Sequence, residues 1–280
     1  MERTYILSNG TVVPALGLST FRLLNGSETT QAVLTALQSG YRKLDCAAVC
    51  GNEPAIADAI AASGIPRSEL FITGKLWNNF KGYDAVIKAF ERTLEALQLD
   101  YLDLYTIHWP IAKASKQRWQ QANAEAWRAF ESLYRDGRIK ALGVTNFLGH
   151  HLDALLSEAG IAPMVNQLEY HPGCLQEETI RHCRTHNIAV EAWAPLANGT
   201  LLQEDLLVQL ADKYGRTPSQ IALRWSLQNG VSPLPRAATI QHITENFQIF
   251  DFELLAEDMK RIDSLPISYS SGLHPDEIDF

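Results

Sequence analysis

The sequence predicts an α/β fold, a closed (β/α)8 TIM barrel in which eight parallel strands alternate with helices. Short apolar runs alternate with longer amphipathic stretches along nearly the whole chain, which favours a parallel sheet covered by helices. Eight such units occupy about 260 residues, close to the usual length of this barrel. The competing open doubly wound sheet is disfavoured, because no two of the 17 glycines stand two residues apart and its G-x-G-x-x-G motif is absent. We expect a single domain over residues 1–280.

The first residues predict a β-hairpin that caps the barrel from below. Two short extended runs, 5–7 and 11–13, flank Asn9-Gly10, a dipeptide that favours tight hairpin turns. The apolar runs that follow predict the eight barrel strands, in order, at residues 15–19, 42–45, 70–75, 102–108, 141–145, 165–169, 189–193 and 231–234.

The stretches between these strands have the apolar period of helices. One such apolar face carries Val86, Phe90, Leu94 and Leu97. Two helical stretches, 206–214 and 218–229, precede the last strand, so one of them is an insertion into the repeat. A closing helix is predicted at 257–265. We therefore expect two helices beyond the eight of the barrel.

Composition disfavours several classes of protein. The chain has 24 Lys and Arg against 32 Asp and Glu, a formal charge of −8, which disfavours nucleic acid as a partner. No apolar run reaches the roughly 20 residues of a membrane helix, and the first residues lack a signal-peptide core. Four cysteines without C-x2-C spacing predict neither a disulfide scaffold nor a zinc site. We expect a cytoplasmic monomer that holds no metal.

Polar side chains fall at the carboxyl ends of predicted strands, where barrels of this kind place their active sites. Asp45, Lys75 and His108 end three consecutive strands, so their side chains can meet at one rim. A lysine held charged by an aspartate, beside a histidine that hydrogen-bonds a carbonyl oxygen, suits the polarisation and protonation of a carbonyl group. The same three residues also fit a structural ion pair next to a buried histidine, and their spacing alone does not distinguish this interpretation from a catalytic site.

Six longer segments carry a resemblance to a known family. They are GYRKLDCAAVCGNE (40–53), LFITGKLWN (70–78), LDYLDLYTIHWP (99–110), GVTNF (143–147), NQLEYHP (166–172) and ENFQIFDFEL (245–254). In these segments the chain resembles the aldo-keto reductases, nearest the bacterial reductases of the 2,5-diketo-gluconate type. The resemblance implies a barrel that binds NADP(H) across its carboxyl-terminal rim. It also implies reduction of aldehydes or ketones to alcohols by direct hydride transfer.

The resemblance implies four catalytic positions, and this chain departs from the family at one of them. Asp45, Lys75 and His108 match the family's Asp, Lys and His, but its tyrosine, which protonates the carbonyl oxygen, falls on Cys50. A thiol is shorter than a phenol and a weaker hydrogen-bond donor, so we expect an atypical or impaired proton donor. A water held by Lys75, His108 and Cys50 is one route for the proton. The alternative is a nucleotide-binding barrel that lacks useful turnover and acts as a sensor or binding protein.

The resemblance also implies the cofactor contacts. On the nicotinamide and pyrophosphate side they are Thr20, Asp45, Thr145, Asn146, Gln167, Trp193 and Leu196. On the adenosine side they are Arg236, Ala237, His242, Glu245 and Asn246. The family has a serine where this chain has Ala237 and an arginine where it has His242. Because both contact the 2′-phosphate, we expect weaker selectivity for NADP(H) and some use of NAD(H).

Aromatic side chains are expected around the substrate. The resemblance places Phe21, Trp77 and Trp109, together with His108, at the mouth of the site for a small carbonyl substrate. The basic loop at 111–119 fits two readings, a solvated surface loop or an attraction for acidic carbonyl compounds.

Overall fold

A computed structural model describes residues 3–79, 82–267 and 270–278. Its first two strands, β1 (Thr4–Ile6) and β2 (Val12–Pro14), form the predicted antiparallel hairpin, in which Tyr5 pairs with Val13. The barrel strands are β3 (Leu18–Ser19), β4 (Lys43–Asp45), β5 (Phe71–Leu76), β6 (Leu102–Ile107), β7 (Ile139–Thr145), β8 (Val165–Glu169), β9 (Ala189–Trp193) and β10 (Ser232–Leu234).

The eight barrel strands pair in chain order and all pairs are parallel. A parallel bridge between Ser19 and Arg236 joins the two ends of the sheet, supported by a hydrogen bond from the Ser19 N–H to the Pro235 carbonyl (3.0 Å). The acceptors across this seam are the carbonyls of Pro233 and Pro235. Proline has no backbone N–H, so neither residue can donate a hydrogen bond back across the seam. The seam is therefore weakly paired and β3 is shorter than predicted, but the closed barrel is confirmed.

Helices surround the barrel in the described part of the chain. They are α1 (Ser27–Ser39), α2 (Glu53–Ser63), α3 (Tyr83–Leu97), α4 (Trp119–Arg135), α5 (Gly149–Leu156), α6 (Glu177–Thr185), α7 (Asp205–Tyr214), α8 (Pro218–Gln228), α9 (Ile240–Phe247) and α10 (Ala256–Asp263). Both α7 and α8 lie between β9 and β10, and α10 closes the chain, which confirms the two extra helices. None of the helices in the described ranges has the length and apolar character needed to cross a bilayer.

Candidate active site

A buried ion pair marks the carboxyl-terminal rim of the barrel. Lys75 in β5 binds the carboxylate of Asp45, the last residue of β4, and the two side chains are almost fully buried. The Lys75 ammonium also donates to the Cys46 carbonyl (3.3 Å). Gln167 in β8 donates to Asp45 Oδ1 (2.9 Å). The rim therefore presents a fixed positive charge whose counter-ion is held by a second donor.

A second buried ion pair, between Lys43 and Glu191, lies below the first. Glu191 also accepts hydrogen bonds from the Tyr5 hydroxyl (2.6 Å) and from Gln167 Nε2 (2.8 Å). Burial would raise the pKa of Glu191, but Lys43 and these donors together hold it below its usual value. Gln167 donates to Glu191 and to Asp45, so it connects the lower ion pair to the rim.

Sequence reasoning missed this lower pair, although a signal was present. Lys43 stands two residues before Asp45 in β4, and Glu191 stands two residues before Trp193 in β9. Alternate residues of a strand point to the same side, so both charges follow from the positions of the predicted site residues.

His108 follows the end of β6 and lies among aromatic rings. The ring centroid of Trp77 is 5.1 Å from that of His108, with Phe21 at 6.3 Å and Trp109 at 6.4 Å. Burial, helped by the charge of Lys75, lowers the pKa of His108 to about 3, so the imidazole is neutral at ordinary pH. Its buried Nδ1 has no hydrogen-bond partner among the described residues. The predicted substrate residues therefore come together around a neutral imidazole.

Cys50 lies in a 3₁₀ turn, Ala48–Cys50, between β4 and α2, and is half-buried. The backbone N–H of Arg22 donates to its sulfur (3.4 Å). Burial raises the pKa of the Cys50 thiol; the Arg22 hydrogen bond and the charge of Lys75 oppose this, and Asp45 reinforces it. The thiol is therefore protonated at neutral pH.

Asn146 connects three strand ends at the rim. It follows β7 with a positive φ of 65°, a left-handed conformation that asparagine tolerates better than most residues. Its Nδ2 donates to the His108 carbonyl (3.1 Å), and its Oδ1 accepts from the Trp193 indole (2.7 Å). The Trp193 ring is therefore held at the end of β9 by the same amide that braces the backbone at His108.

The amides of Asn146 and Gln167 keep complementary hydrogen-bonding capacity. Both N–H groups of Gln167 are used, by Asp45 and Glu191, and among the described residues its Oε1 accepts only from the Thr145 hydroxyl (3.4 Å). Within the same ranges, Asn146, which binds the Trp193 indole, uses one of its two N–H groups. Asn146 therefore keeps one donor and Gln167 one acceptor, which is the pattern a carboxamide requires.

The remaining predicted cofactor residues extend from the rim in two directions. Thr20 donates to the Asp45 carbonyl (3.1 Å), and Leu196 is partly buried just after β9. Beyond β10, Arg236 is exposed and Ala237 is buried. No described residue forms an ion pair with the Arg236 guanidinium.

Helix α9 carries the rest of the predicted adenosine side. His242 is exposed in its first turn, where its backbone N–H donates to Thr239 Oγ1 (3.2 Å). The carboxylate of Glu245 accepts from Gln241 (2.7 Å). Asn246 is buried, and its Oδ1 accepts from Ser219 (3.0 Å).

The C-terminal tail docks on the same rim, which sequence reasoning missed. The backbone N–H and hydroxyl of Ser271 bind the carboxylate of Glu169, at the end of β8, at 2.7 and 2.6 Å. Burial would raise the pKa of Glu169, but the nearby His171 imidazole (3.5 Å) and the hydrogen bonds from Ser271 hold it below its usual value. The two partners are 102 residues apart in the chain, and no local pattern signals such a contact.

The chain as a whole matches a known protein family. A family profile described as "Aldo/keto reductase family" matches residues 15–267. The chain is 46% identical to glyoxal reductase of Bacillus subtilis over 280 residues, covering 100% of this chain and 99% of that protein. It is 38% identical to a methylglyoxal reductase of Salmonella typhimurium, covering 97% and 96%. A crystal structure of a Bombyx mori aldo-keto reductase in complex with NADP superposes with a TM-score of 0.86 at 32% identity, covering 94% and 92%.

Proposed function

The chain belongs to the aldo/keto reductase family, and from this premise we propose that it reduces small α-dicarbonyl compounds such as glyoxal and methylglyoxal. As a member of that family it is an NAD(P)H-dependent oxidoreductase that reduces carbonyl groups. The names of two relatives support the dicarbonyl substrates. A diketo sugar acid of the 2,5-diketo-gluconate type remains a prediction and belongs in the same assay.

The cofactor is NADP(H), which supplies the hydride when bound. The donor and acceptor left on Asn146 and Gln167 fit a carboxamide, and the Trp193 ring offers a face on which the nicotinamide can stack. Arg236, exposed just beyond β10, offers an uncompensated charge to the 2′-phosphate. We assign these residues to cofactor binding, and we expect some use of NAD(H), because Ala237 and His242 supply neither a hydroxyl nor a permanent charge.

The observation that carries the proposed chemistry is the buried Lys75–Asp45 pair beside the neutral imidazole of His108. A neutral imidazole N–H donates to the substrate carbonyl oxygen and polarises it. The ammonium of Lys75 stabilises the negative charge that develops on this oxygen as hydride arrives. The buried Nδ1 of His108 has no hydrogen-bond partner among the described residues, whereas a purely structural buried histidine would be expected to have one.

We assign the role of proton donor to Cys50, directly or through one water. Its thiol is protonated at neutral pH and its pKa responds to the charges of Lys75 and Asp45, but the side chain is short and donates weakly. An α-dicarbonyl needs a weaker acid than a simple aldehyde, because the second carbonyl withdraws electrons from the forming alkoxide. Cys50 therefore favours activated substrates.

A second candidate function, a nucleotide-binding barrel without turnover, is favoured by Cys50 alone. Two assays on the purified protein separate the candidates. Quenching of Trp fluorescence reports NADPH and NADH binding, and cofactor consumption is followed with glyoxal, methylglyoxal, a diketo sugar acid and simple aldehydes. We expect saturable NADPH binding and fastest consumption with the dicarbonyls. Saturable binding with no consumption for any carbonyl supports the binding protein, and no binding of either cofactor refutes both functions.

The matched control for these assays is Lys75→Met, which removes the charge and keeps a chain of similar length. It should abolish consumption while NADPH still quenches fluorescence, since the nicotinamide contacts lie on other residues. We also propose that the chain acts as a single-domain monomer in the cytoplasm. Support comes from its four free cysteines, which suit a reducing compartment.

A further inference from the structure

Six of the eight histidines take part neither in the proposed carbonyl chemistry nor in the proposed cofactor contacts. Four of these six form two groups with aspartates, and in each group one ligand atom per residue lies within 4.8 Å of the others. The first group is His150, His151 and Asp276, and the second is Asp153, His182 and His186.

The first group is a hydrogen-bonded attachment of the tail. The backbone N–H of Leu148 donates to His151 Nδ1 (3.1 Å), so the neutral ring carries its proton on Nε2. That nitrogen lies 3.0 Å from Asp276 Oδ1 without hydrogen-bond geometry, as His182 does from its aspartate, and His150 Nε2 is hydrogen-bonded to the same Asp276 oxygen at 3.0 Å. A metal on His151 Nε2 would force the proton onto Nδ1, directly against the Leu148 N–H. This group therefore caps α5 and holds the tail.

The second group leaves its lone pairs available. His186 Nδ1 lies 3.0 Å from the His182 carbonyl, which can only accept, so the proton is on Nδ1 and Nε2 keeps its lone pair. His182 Nε2 lies 3.0 Å from Asp153 Oδ1 without hydrogen-bond geometry. No other described residue satisfies this buried nitrogen. Its ring also packs over Gly149, where a Cβ would lie 3.6 Å from the imidazole.

We propose that Asp153, His182 and His186 bind a divalent transition-metal ion of the Zn²⁺ type, which joins α5 to α6. Two imidazoles one helical turn apart and a carboxylate from the adjacent helix form the three-ligand set of open zinc sites, which leave one position to water. The two imidazole centroids are 4.6 Å apart. Tetrahedral bonds of about 2.1 Å require donor atoms roughly 3.4 Å apart, so small side-chain rotations close the site.

The location of this ion gives it a structural role near the active site. Helix α5 begins three residues after Asn146, which braces His108 and Trp193. An ion that ties α5 to α6 restrains the segment that carries Asn146. The site does not depend on the carbonyl chemistry, so its test does not depend on turnover.

The test uses the full chain, freed of metal with a chelator. Calorimetric titration with ZnCl2 gives the affinity and stoichiometry, and CoCl2 gives a visible absorption band when the ion is four-coordinate. We expect one ion per chain. His186→Gln should weaken binding at least about tenfold, the lower limit seen for groups one shell further from a metal. Asp153→Asn should do the same, and the side chain of Asp153 is 63% exposed, so this variant should fold normally.

The matched control is His150→Gln, which removes a histidine of the first group. It should bind Zn²⁺ as the wild type does. Thermal unfolding of each metal-free variant identifies any folding defect before metal is added. The proposal is overturned if His186→Gln and Asp153→Asn both bind as tightly as the wild type. It is also overturned if His150→Gln abolishes binding while the other two retain it, or if no ion binds.

Discussion

Replacing Cys50 with tyrosine introduces a phenol at the proposed position of the proton donor and tests the proposed chemistry directly. The sulfur of Cys50 lies one bond beyond Cβ, whereas a tyrosine hydroxyl lies across a ring. Cys50 is half-buried, in a turn whose next residue, Gly51, has a positive φ of 62°, so the turn backbone is set by Gly51 and does not depend on the side chain at position 50. We expect the phenol to reach an oxygen that His108 and Lys75 hold.

The expected gain follows from what remains in the site. General acid catalysis is worth roughly 10² to 10⁴ in rate, which is about 2.7 to 5.5 kcal/mol of barrier. The Lys75–Asp45 pair and the neutral His108 already stabilise part of the developing charge, and a water can carry a proton slowly. These groups already supply some of the gain that a general acid can give. We therefore expect Cys50→Tyr to raise kcat at least about tenfold for a simple aldehyde, which is less than the full range.

The assay compares kcat and the NADPH dissociation constant of wild type, Cys50→Tyr and Cys50→Phe. The phenylalanine variant fills the same space without a hydroxyl, so any gain due to packing appears in both variants and any gain due to the acid appears only with tyrosine. NADPH affinity should change little, because no contact assigned to the nicotinamide uses residue 50. If Cys50→Tyr is no faster than Cys50→Phe and wild type on every carbonyl tested, the missing phenol is not what limits the reaction.

Three further predictions concern stability and cofactor choice. Lys43→Met leaves the buried Glu191 carboxylate without its counter-ion and should lower the free energy of unfolding in urea by about 3 to 5 kcal/mol. The double variant Lys43→Met/Glu191→Gln should recover most of this loss. An equal loss in both variants would contradict the pairing. His242→Arg should favour NADPH over NADH by about 1.5 to 3 kcal/mol in fluorescence titrations, and equal gains for both cofactors would show that residue 242 does not sense the 2′-phosphate. Burial raises the pKa of Glu53 to about 7, above an unfolded value of about 4.3, so stability is lost as pH rises between these values. Glu53→Gln should flatten that loss in urea unfolding at acid and alkaline pH, and an unchanged slope would exclude this carboxyl as its source.

The barrel was predictable because its strands and helices repeat a simple pattern. Apolar alternation located every strand to within a few residues, and the structure has Asp45, Lys75 and His108 at or near the strand ends where the sequence put them. The boundaries of β3 were wrong because the seam partners are prolines, and no pattern within β3 itself reports that missing donor.

The contacts that sequence did not predict join distant segments through single side chains. Glu169 and Ser271 meet only because the tail folds back over the rim. His182 meets Asp153 because two neighbouring helices turn particular faces toward each other, and their spacing in the chain does not encode this rotation. Such contacts depend on packing, whereas the strand pattern depends on local periodicity.

We propose that Cys50 stands where the family has a tyrosine, and the contacts around it account for how the rest of the site keeps its arrangement. Lys75 binds Asp45 and the Cys46 carbonyl, and Gln167 binds Asp45 and the lower ion pair. None of these contacts uses the side chain of residue 50, whose sulfur accepts the backbone N–H of Arg22. On the proposed mechanism, residue 50 therefore affects proton supply and not the placement of these charges. A weak proton donor slows the reduction of a carbonyl more when the alkoxide that forms is more basic. Cys50→Tyr should therefore accelerate the reduction of simple aldehydes more than that of glyoxal. An equal gain for both classes would mean that proton transfer does not set the substrate preference.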